Sequence, residues 1–328
     1  MKTKIVYVLV SSDNDIYLEQ AWVSIFSLRH FNKDVKIEVI CDDKTAVRIK
    51  LHSPKEFRDI LGEVISVPFD AEVSNKERSR WLKTSMRSLV KGDFLFLDTD
   101  TIVTGNLDDV DSFDFDIGMV YDWHCRLIDR PNKDGVKKRV ARLFADELKE
   151  GTDYYNSGVI FSKDTEKSHV FFKRWHDRWN ESKVKPKGIR DQQSLMVTVN
   201  ELGGVIPMSG DYNCQPIVSM RYLATAKIVH FFNTRWDSHI RCPFYADDFF
   251  LKIKEEGSIS EANRILILAC RSTFVSPSMT ICGEDINIWR SSSFNLLRKL
   301  YKKHKNVYRI INLFSRIVGG AKDVTASF

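Results

Sequence analysis

Asp98 and Asp100 close a run of four apolar residues in Phe94-Leu95-Phe96-Leu97-Asp98-Thr99-Asp100, and Thr101-Ile102-Val103 follows. Read as extended chain, residues two apart share a side, which sets the two acids about 6–7 Å apart and facing one way. Two such anions repel unless a cation joins them. A hard divalent ion fits, with the diphosphate of a nucleotide filling its remaining positions. The same letters also describe a strand that ends in a solvated acidic turn. Other groups with chemical capacity follow in order: Ser11-Ser12-Asp13, Asp122, Asn156-Ser157-Gly158, Asp191-Gln192 and His230. Each has an ordinary reading beside a functional one. His230, on the apolar stretch Ile228-Val229-His230-Phe231, reads also as a packed core histidine, Asn156 as a turn former and Asp191 as a helix cap.

The elements that must position these groups alternate between strand and helix. Residues 4–10 read as a first strand, and Asp13, Asn14 and Asp15 offer an N-cap to a helix whose inner face is Leu18, Trp22, Ile25 and Leu28. Residues 35–40 and 64–67 read as further strands. This alternation predicts an α/β fold, a mixed but mainly parallel sheet flanked by helices, with ligands at the carboxyl ends of strands. Neither G-x-G-x-x-G nor G-x-x-x-x-G-K-[ST] occurs, so neither fingerprint carries phosphate binding. On a helix over 76–90, Lys76, Arg80, Lys83 and Arg87 fall within about 60° of one another, opposite Leu82, Met86, Leu89 and Val90. That stripe is either a solvated face or a source of cations for phosphates. Residues 116–121, 154–161 and 227–232 read as strands, and 170–179 and the stretch from Arg190 as helices. Residues 126–151 are polar and poor in pattern, which predicts a lid or a partner-binding loop.

The chain has 328 residues, 43% of them hydrophobic and 12% aromatic, enough for one large α/β domain with an appendage or for two domains. Six scattered cysteines without a Cys-x-x-Cys pair argue against a zinc ribbon or a disulfide framework and suit a reducing, cytoplasmic compartment. The opening ten residues are too short for a secretory apolar region. No apolar run is long enough to span a bilayer. The net charge of +6 is uneven: residues 294–318 hold seven Lys or Arg and no acid, leaving the rest of the chain near neutral. A general nucleic-acid partner is therefore not expected. In that basic segment Leu297, Leu300, Tyr301, Val307, Tyr308, Ile311, Phe314 and Val318 follow steps of three and four, which predicts one amphipathic helix. An apolar stripe flanked by cations suits an anionic membrane surface, which would make the protein peripheral on the inner face of the membrane. A C-terminal helix docked on its own core is the competing expectation.

In order and spacing, Phe94-Leu95-Phe96-Leu97-Asp98-Thr99-Asp100, Tyr154-Tyr155-Asn156-Ser157-Gly158-Val159 and Arg190-Asp191-Gln192-Gln193-Ser194-Leu195 resemble the GT-A fold glycosyltransferases. The likeness is to glycosyltransferase family 8 and its bacterial lipopolysaccharide and capsule enzymes, over roughly residues 4–240. It implies a GT-A catalytic domain over 1–240, with a nucleotide-sugar half to about 121 and an acceptor half over 122–240, before a helical region over 241–328. It implies transfer of a hexose from a UDP-sugar, UDP-glucose or UDP-galactose, to a glycan or glycolipid acceptor, with retention of configuration. It further implies Mn²⁺, or Mg²⁺ in its place, on Asp98, Asp100 and His230. Val10, Ser11 and Asp13 would hold the uridine end. Thr99 with Asp98, and Lys83 backed by Arg80, would serve the nucleotide and its phosphates. Asp122 and Asn156 would contact the donor sugar, Asp191 its hydroxyls, and Gln192 would sit beneath the anomeric carbon. One departure is plain. Where the family carries a Gly-Lys-Pro-Trp run after the histidine, this chain reads His230-Phe231-Phe232-Asn233-Thr234-Arg235-Trp236, so that Arg235 would replace a phosphate-binding lysine with a cation of different geometry.

Two other readings use the same residues. Leu97-Asp98-Thr99-Asp100-Thr101-Ile102-Val103 also looks like a haloacid dehalogenase phosphatase signature, with Asp98 as nucleophile. That motif belongs on a first strand, however, and Ile102 stands at its usual threonine. A non-catalytic sugar-nucleotide-binding protein would share the fold, but no site acid is missing.

Overall fold

The computed structural model describes residues 1–130, 132–145, 148–149, 151–232, 242–274 and 283–319. The chain divides into two units, Met1–Phe274 and Val275–Phe328. In chain order the first half of the larger unit is β1 (Lys4–Leu9), α1 (Tyr17–Phe31), β2 (Ile37–Asp42), α2 (Asp43–His52), α3 (Lys55–Ile60), β3 (Glu63–Val67), α4 (Asn75–Leu89), β4 (Phe94–Leu97), β5 (Thr101–Val103) and β6 (Ile117–Tyr121). There follow α5 (Lys133–Phe144), β7 (Tyr155–Ser162), α6 (Glu166–Lys183), α7 (Asp191–Leu202), β8 (Val205–Pro207), β9 (Ile228–His230), α8 (Asp247–Glu256) and α9 (Glu261–Leu268).

Seven strands form one sheet in the order β3-β2-β1-β4-β7-β6-β8, and β5 pairs with β9 beside it. β3, β2, β1 and β4 run parallel, β7 is antiparallel to β4 and β6, and β8 is parallel to β6. Side chains alternate between two apolar layers. Ile5, Tyr7, Leu9, Leu95 and Leu97 meet Leu18, Trp22, Ile25 and Leu28 of α1. Val6, Phe94 and Phe96 meet Leu82 and Met86 of α4 and Phe172 and Trp175 of α6. All four residues of β4 are fully buried, each contributing about 1.5–3 kcal/mol. A strand so anchored can hold two repelling acids at its end. The chain leaves β1 outward to β2 and β3, then returns to β4 on the other side of β1. The crevice beyond the carboxyl ends of β1 and β4 is therefore the topological switch point, where ligands bind in such sheets.

Three expectations change. The strand stops at Leu97, and Asp98, Thr99 and Asp100 make a tight turn before β5, closed by a hydrogen bond from Thr101 Oγ1 to Asp98 O (2.8 Å). The stretch 126–151, poor in pattern to the eye, contains a helix: α5 buries Val136, Val140, Leu143 and Phe144, residues already at helical spacing. The sequence boundary at 240 moves to 274, because Phe244, Phe250, Ile253, Ile259, Ile267 and Cys270 belong to the core of the larger unit.

The smaller unit contains α10 (Gly283–Arg290), α11 (Ser292–Lys303) and α12 (Lys305–Gly319). The single helix expected over 294–318 is thus two, broken at His304 (φ −133°, ψ 57°). Ser291 caps α11, its hydroxyl accepting from Phe294 N (3.1 Å). No described helix is long and apolar enough to cross a membrane.

Candidate active site

Hydrogen bonds between strands bring the acid turn together with the other candidates. Asp98 N donates to Gly158 O (2.8 Å), which ties the turn to Asn156-Ser157-Gly158 on β7. Thr101 faces His230 across β5 and β9, and Phe231 N donates to Asp100 O (2.9 Å). One ligand atom from each of Asp98, Asp100 and His230 consequently lies within 4.8 Å of the others. His230 is 3% exposed with Nε2 3.1 Å from an Asp100 oxygen. Two carboxylates and an imidazole are the donor set for a hard to borderline divalent ion. The cavity holding the ring depends on a glycine, since a Cβ on Gly158 would come within 2.0 Å of His230 Cε1.

Of the expected stripe on α4, Lys83 and Arg87 point inward, Arg80 is half-buried and Lys76 is exposed. Lys83, 3% exposed, donates to both oxygens of Asp98 (2.9 Å each) and lies 3.5 Å from Asp191. A carboxylate has about four acceptor positions, so Asp98 can keep Lys83 and still face a metal. Arg80 Nε lies 2.9 Å from Asp191, and its guanidinium pKa is raised, chiefly by Asp191. Arg87 and Arg78 are also buried, and Arg78 pairs with Asp42 (2.8 Å). The solvated face is excluded for Arg78, Lys83 and Arg87.

Asp191 is the first residue of α7 rather than its cap. Its side chain accepts from Ser157 Oγ (3.0 Å). Burial pushes its carboxyl up, but Lys83 and then Arg80 outweigh this and hold it at about 2. Gln192 donates from Nε2 to Tyr155 O and accepts from Ser157 Oγ (3.1 Å). Asp122 accepts from Asn156 Nδ2 (3.1 Å) and from Arg130 Nη1 (2.6 Å). Arg130 in turn lies over the rings of Trp123 and Tyr154, 4.6 and 4.9 Å from their centroids. Trp123 and His124 both adopt positive φ (67° and 54°), a costly pair for residues other than glycine. Gln215 Oε1 helps to hold them by accepting from Trp123 N (2.8 Å).

A cleft of about 500 Å³ opens at the switch point, lined by Val10, Arg80, Asp98, Thr99 and Asp100 among the sequence candidates. Ser11 and Asp13 lie outside its lining. Ser11 N donates to Thr45 Oγ1 (2.9 Å) and its hydroxyl to Asp15 Oδ1 (2.8 Å), while Asp13 pairs with Arg48 at the surface. Asp15, Tyr17, Gln20 and Ser79 line the cleft instead. For Asp15, Tyr17 and Gln20 a position just past the first strand was the available signal. Arg130 and Asn213 carried no signal of spacing or pattern. Arg235 falls outside the described residues.

The family model for glycosyl transferase family 8 matches residues 8–235. No curated protein matches the chain. Among solved structures, the chain resembles the WbbM bifunctional glycosyltransferase, 15% identical over 81% of this chain and 51% of that one, with a TM-score of 0.51. The galactosyltransferase LgtC, solved with donor and acceptor sugar analogues, is 16% identical over 80% of this chain and 99% of its own (TM-score 0.49). Mouse xyloside xylosyltransferase 1 is 12% identical over 71% and 98% (TM-score 0.47). At such identities the WbbM likeness speaks to fold alone.

Proposed function

The chain belongs to glycosyltransferase family 8 and is a glycosyltransferase, and from that premise we propose that it moves a hexose from UDP-glucose or UDP-galactose to a glycan or glycolipid acceptor, with retention, in cell-surface lipopolysaccharide or capsule biosynthesis. The observation that carries this reading is the convergence of Asp98, Asp100 and His230, the two acids of which line the cleft beyond β1 and β4. These three residues would hold Mn²⁺, with Mg²⁺ as a substitute. A bound ion of this kind supplies Lewis-acid stabilisation to the leaving diphosphate.

The remaining work falls to side chains. As the bond between the anomeric carbon and the phosphate oxygen breaks, negative charge gathers on the nucleotide. Lys83 and Arg80 are fixed cations, and groups so preorganised stabilise developing charge without proton transfer. Asp191 stays ionised at neutral pH and is our candidate to accept from donor hydroxyls, while Asp122 and Asn156 are assigned to contact the donor sugar. Gln192, restrained by Tyr155 and Ser157, is the residue we assign to the face of the anomeric carbon. Val10 and Thr99, with Tyr17 and Asp15, would hold the nucleoside. Incubating the protein with a panel of UDP-sugars in Mn²⁺ tests this. UDP release from UDP-glucose or UDP-galactose, abolished by chelator, is expected; a phosphorylated Asp98 or no release from any UDP-hexose would overturn it.

We also propose that the smaller unit attaches the chain to the anionic cytoplasmic face of a membrane. Of the expected stripe, Tyr301, Val307 and Phe314 are exposed and Leu297, Leu300, Tyr308 and Ile311 half-buried; Leu296, Ile310 and Ile317 are exposed beside it, as are Arg298, Lys299, Lys302 and Lys303 on α11. Each cation near an anionic leaflet contributes about 1 kcal/mol. Truncation after Ser293 is expected to abolish co-sedimentation with phosphatidylserine vesicles at low salt. Unchanged co-sedimentation would exclude the attachment.

A further inference from the structure

A chain of buried hydrogen bonds joins the histidine of the candidate metal set to the carboxylate assigned to the donor sugar, and its direction is fixed from one end. Asp122 accepts from Arg130, and an ionised carboxylate can only accept. The atom of Asn156 that faces Asp122 Oδ1 at 3.1 Å is therefore its Nδ2. That leaves Asn156 Oδ1 to accept, which it does from Gly158 N (2.9 Å), a donor that cannot reverse. The group 2.9 Å from this same oxygen is an amide of Asn213, which must present Nδ2. Asn213 Oδ1 is then the atom 3.1 Å from His230 Nδ1. An amide oxygen cannot donate, so a hydrogen bond between the two needs a proton on His230 Nδ1. With that proton in place, the nitrogen left to face a metal ion is Nε2, 3.1 Å from Asp100.

We infer that Asn213 is a positioning residue that sets the tautomer and orientation of His230 and couples it to the donor-sugar pair Asn156–Asp122. The inference rests on the metal and donor reading proposed above. Asn213 has no exposed surface. Both ends of its amide are used, and its backbone carbonyl accepts from His124 Nε2 (2.9 Å). A buried amide satisfied on both sides is costly to reverse, because reversal would face donor with donor at one contact and acceptor with acceptor at the other. Metal-binding histidines are oriented in this way by an acceptor on the second ring nitrogen, and losing such a partner typically costs about 10–100-fold in metal affinity or activity.

Two variants separate the halves of this role. Asn213→Ala removes both contacts. Asn213→Asp keeps an acceptor for His230 Nδ1 but opposes an oxygen to Asn156 Oδ1. In the parent loaded with diamagnetic Mg²⁺, the His230 Nδ1 proton should give a slowly exchanging resonance, as expected of a proton held by Asn213 Oδ1. The same resonance is expected in Asn213→Asp and rapid exchange in Asn213→Ala. Mn²⁺ affinity, read by the electron paramagnetic resonance of the free ion, should stay within about threefold of the parent in Asn213→Asp. It should fall about tenfold or more in Asn213→Ala. UDP-hexose KM should rise in both. Rapid exchange of the Nδ1 proton in the Mg²⁺-loaded parent overturns the inference, as does its rapid exchange in Asn213→Asp or parental Mn²⁺ affinity in a folded Asn213→Ala. If Asn213→Ala does not fold, Asn213→Asp decides alone. A slowly exchanging Nδ1 proton in a parent that binds neither ion would instead overturn the metal reading and leave the relay in place.

Discussion

On α4, Arg78, Lys83 and Arg87 are all but withdrawn from solvent, and each ends near a carboxylate: Asp42, the Asp98–Asp191 pair, and Asp164. On α11, Arg298, Lys299, Lys302 and Lys303 stay exposed, and the segment 294–318 contains no acid to receive them. Both helices carry an apolar side and a cationic side, so periodicity alone does not tell them apart. What separates them is whether strand ends elsewhere in the same unit supply buried anions. A cation that meets one becomes part of a site; a cation that meets none remains free for an external partner.

The largest expected effect tests the α4 half of this contrast. Lys83→Met leaves the buried Asp191 and the half-buried Asp98 near each other with only Arg80 to balance them. Breaking one member of a buried ion pair costs about 3–5 kcal/mol, and removing a preorganised cation costs about a hundredfold or more in rate. Urea unfolding and UDP release measure the two. A stability change below about 0.5 kcal/mol, the size usual for a surface position, would remove the distinction between the helices.

A smaller effect sharpens it by pH. The Asp191 carboxyl is held at about 2 against an ordinary 3.8. A depressed folded-state value contributes stability that is complete above the unfolded value and lost as pH falls through the folded one. Between pH 4 and pH 2 the parent should therefore lose about 2 kcal/mol that Asp191→Asn does not lose. Unfolding curves at pH 5, 4, 3 and 2 measure this, and equal losses in both proteins would detach Asp191 from Lys83 and Arg80. The smallest effect on folding belongs to α11. Lys302→Gln with Lys303→Gln should leave unfolding within about 0.5 kcal/mol of the parent while weakening binding to anionic vesicles by about 2 kcal/mol, roughly thirtyfold. Vesicle binding unchanged at low salt would remove those cations from the membrane contact.

Much of the parallel half was legible because each strand is a run of apolar residues that stops at a polar one, as Phe94–Leu97 stops at Asp98. The order of motifs also announced Asp98, Asp100, Asn156, Asp191 and His230. The burial of Lys83 was not legible, since a helical wheel gives the angle of a stripe and not the direction in which it faces. α5 was missed although Val136, Val140, Leu143 and Phe144 had the spacing, because the many charges between them masked it. Asn213 was invisible for a different reason: its role depends on atoms from β7 and β9 meeting at one point, and no local pattern encodes that.

The central claim is that the acid turn and His230 form one metal centre serving a nucleotide. Mn²⁺ titration of the chelator-treated protein, followed by electron paramagnetic resonance with and without UDP, addresses it most directly. The parent should bind one ion more tightly with UDP present, and Asp100→Asn, equally folded by circular dichroism, should bind it at least about tenfold more weakly. Equal Mn²⁺ affinity in the two proteins, or binding in the parent that is indifferent to UDP, would contradict the account.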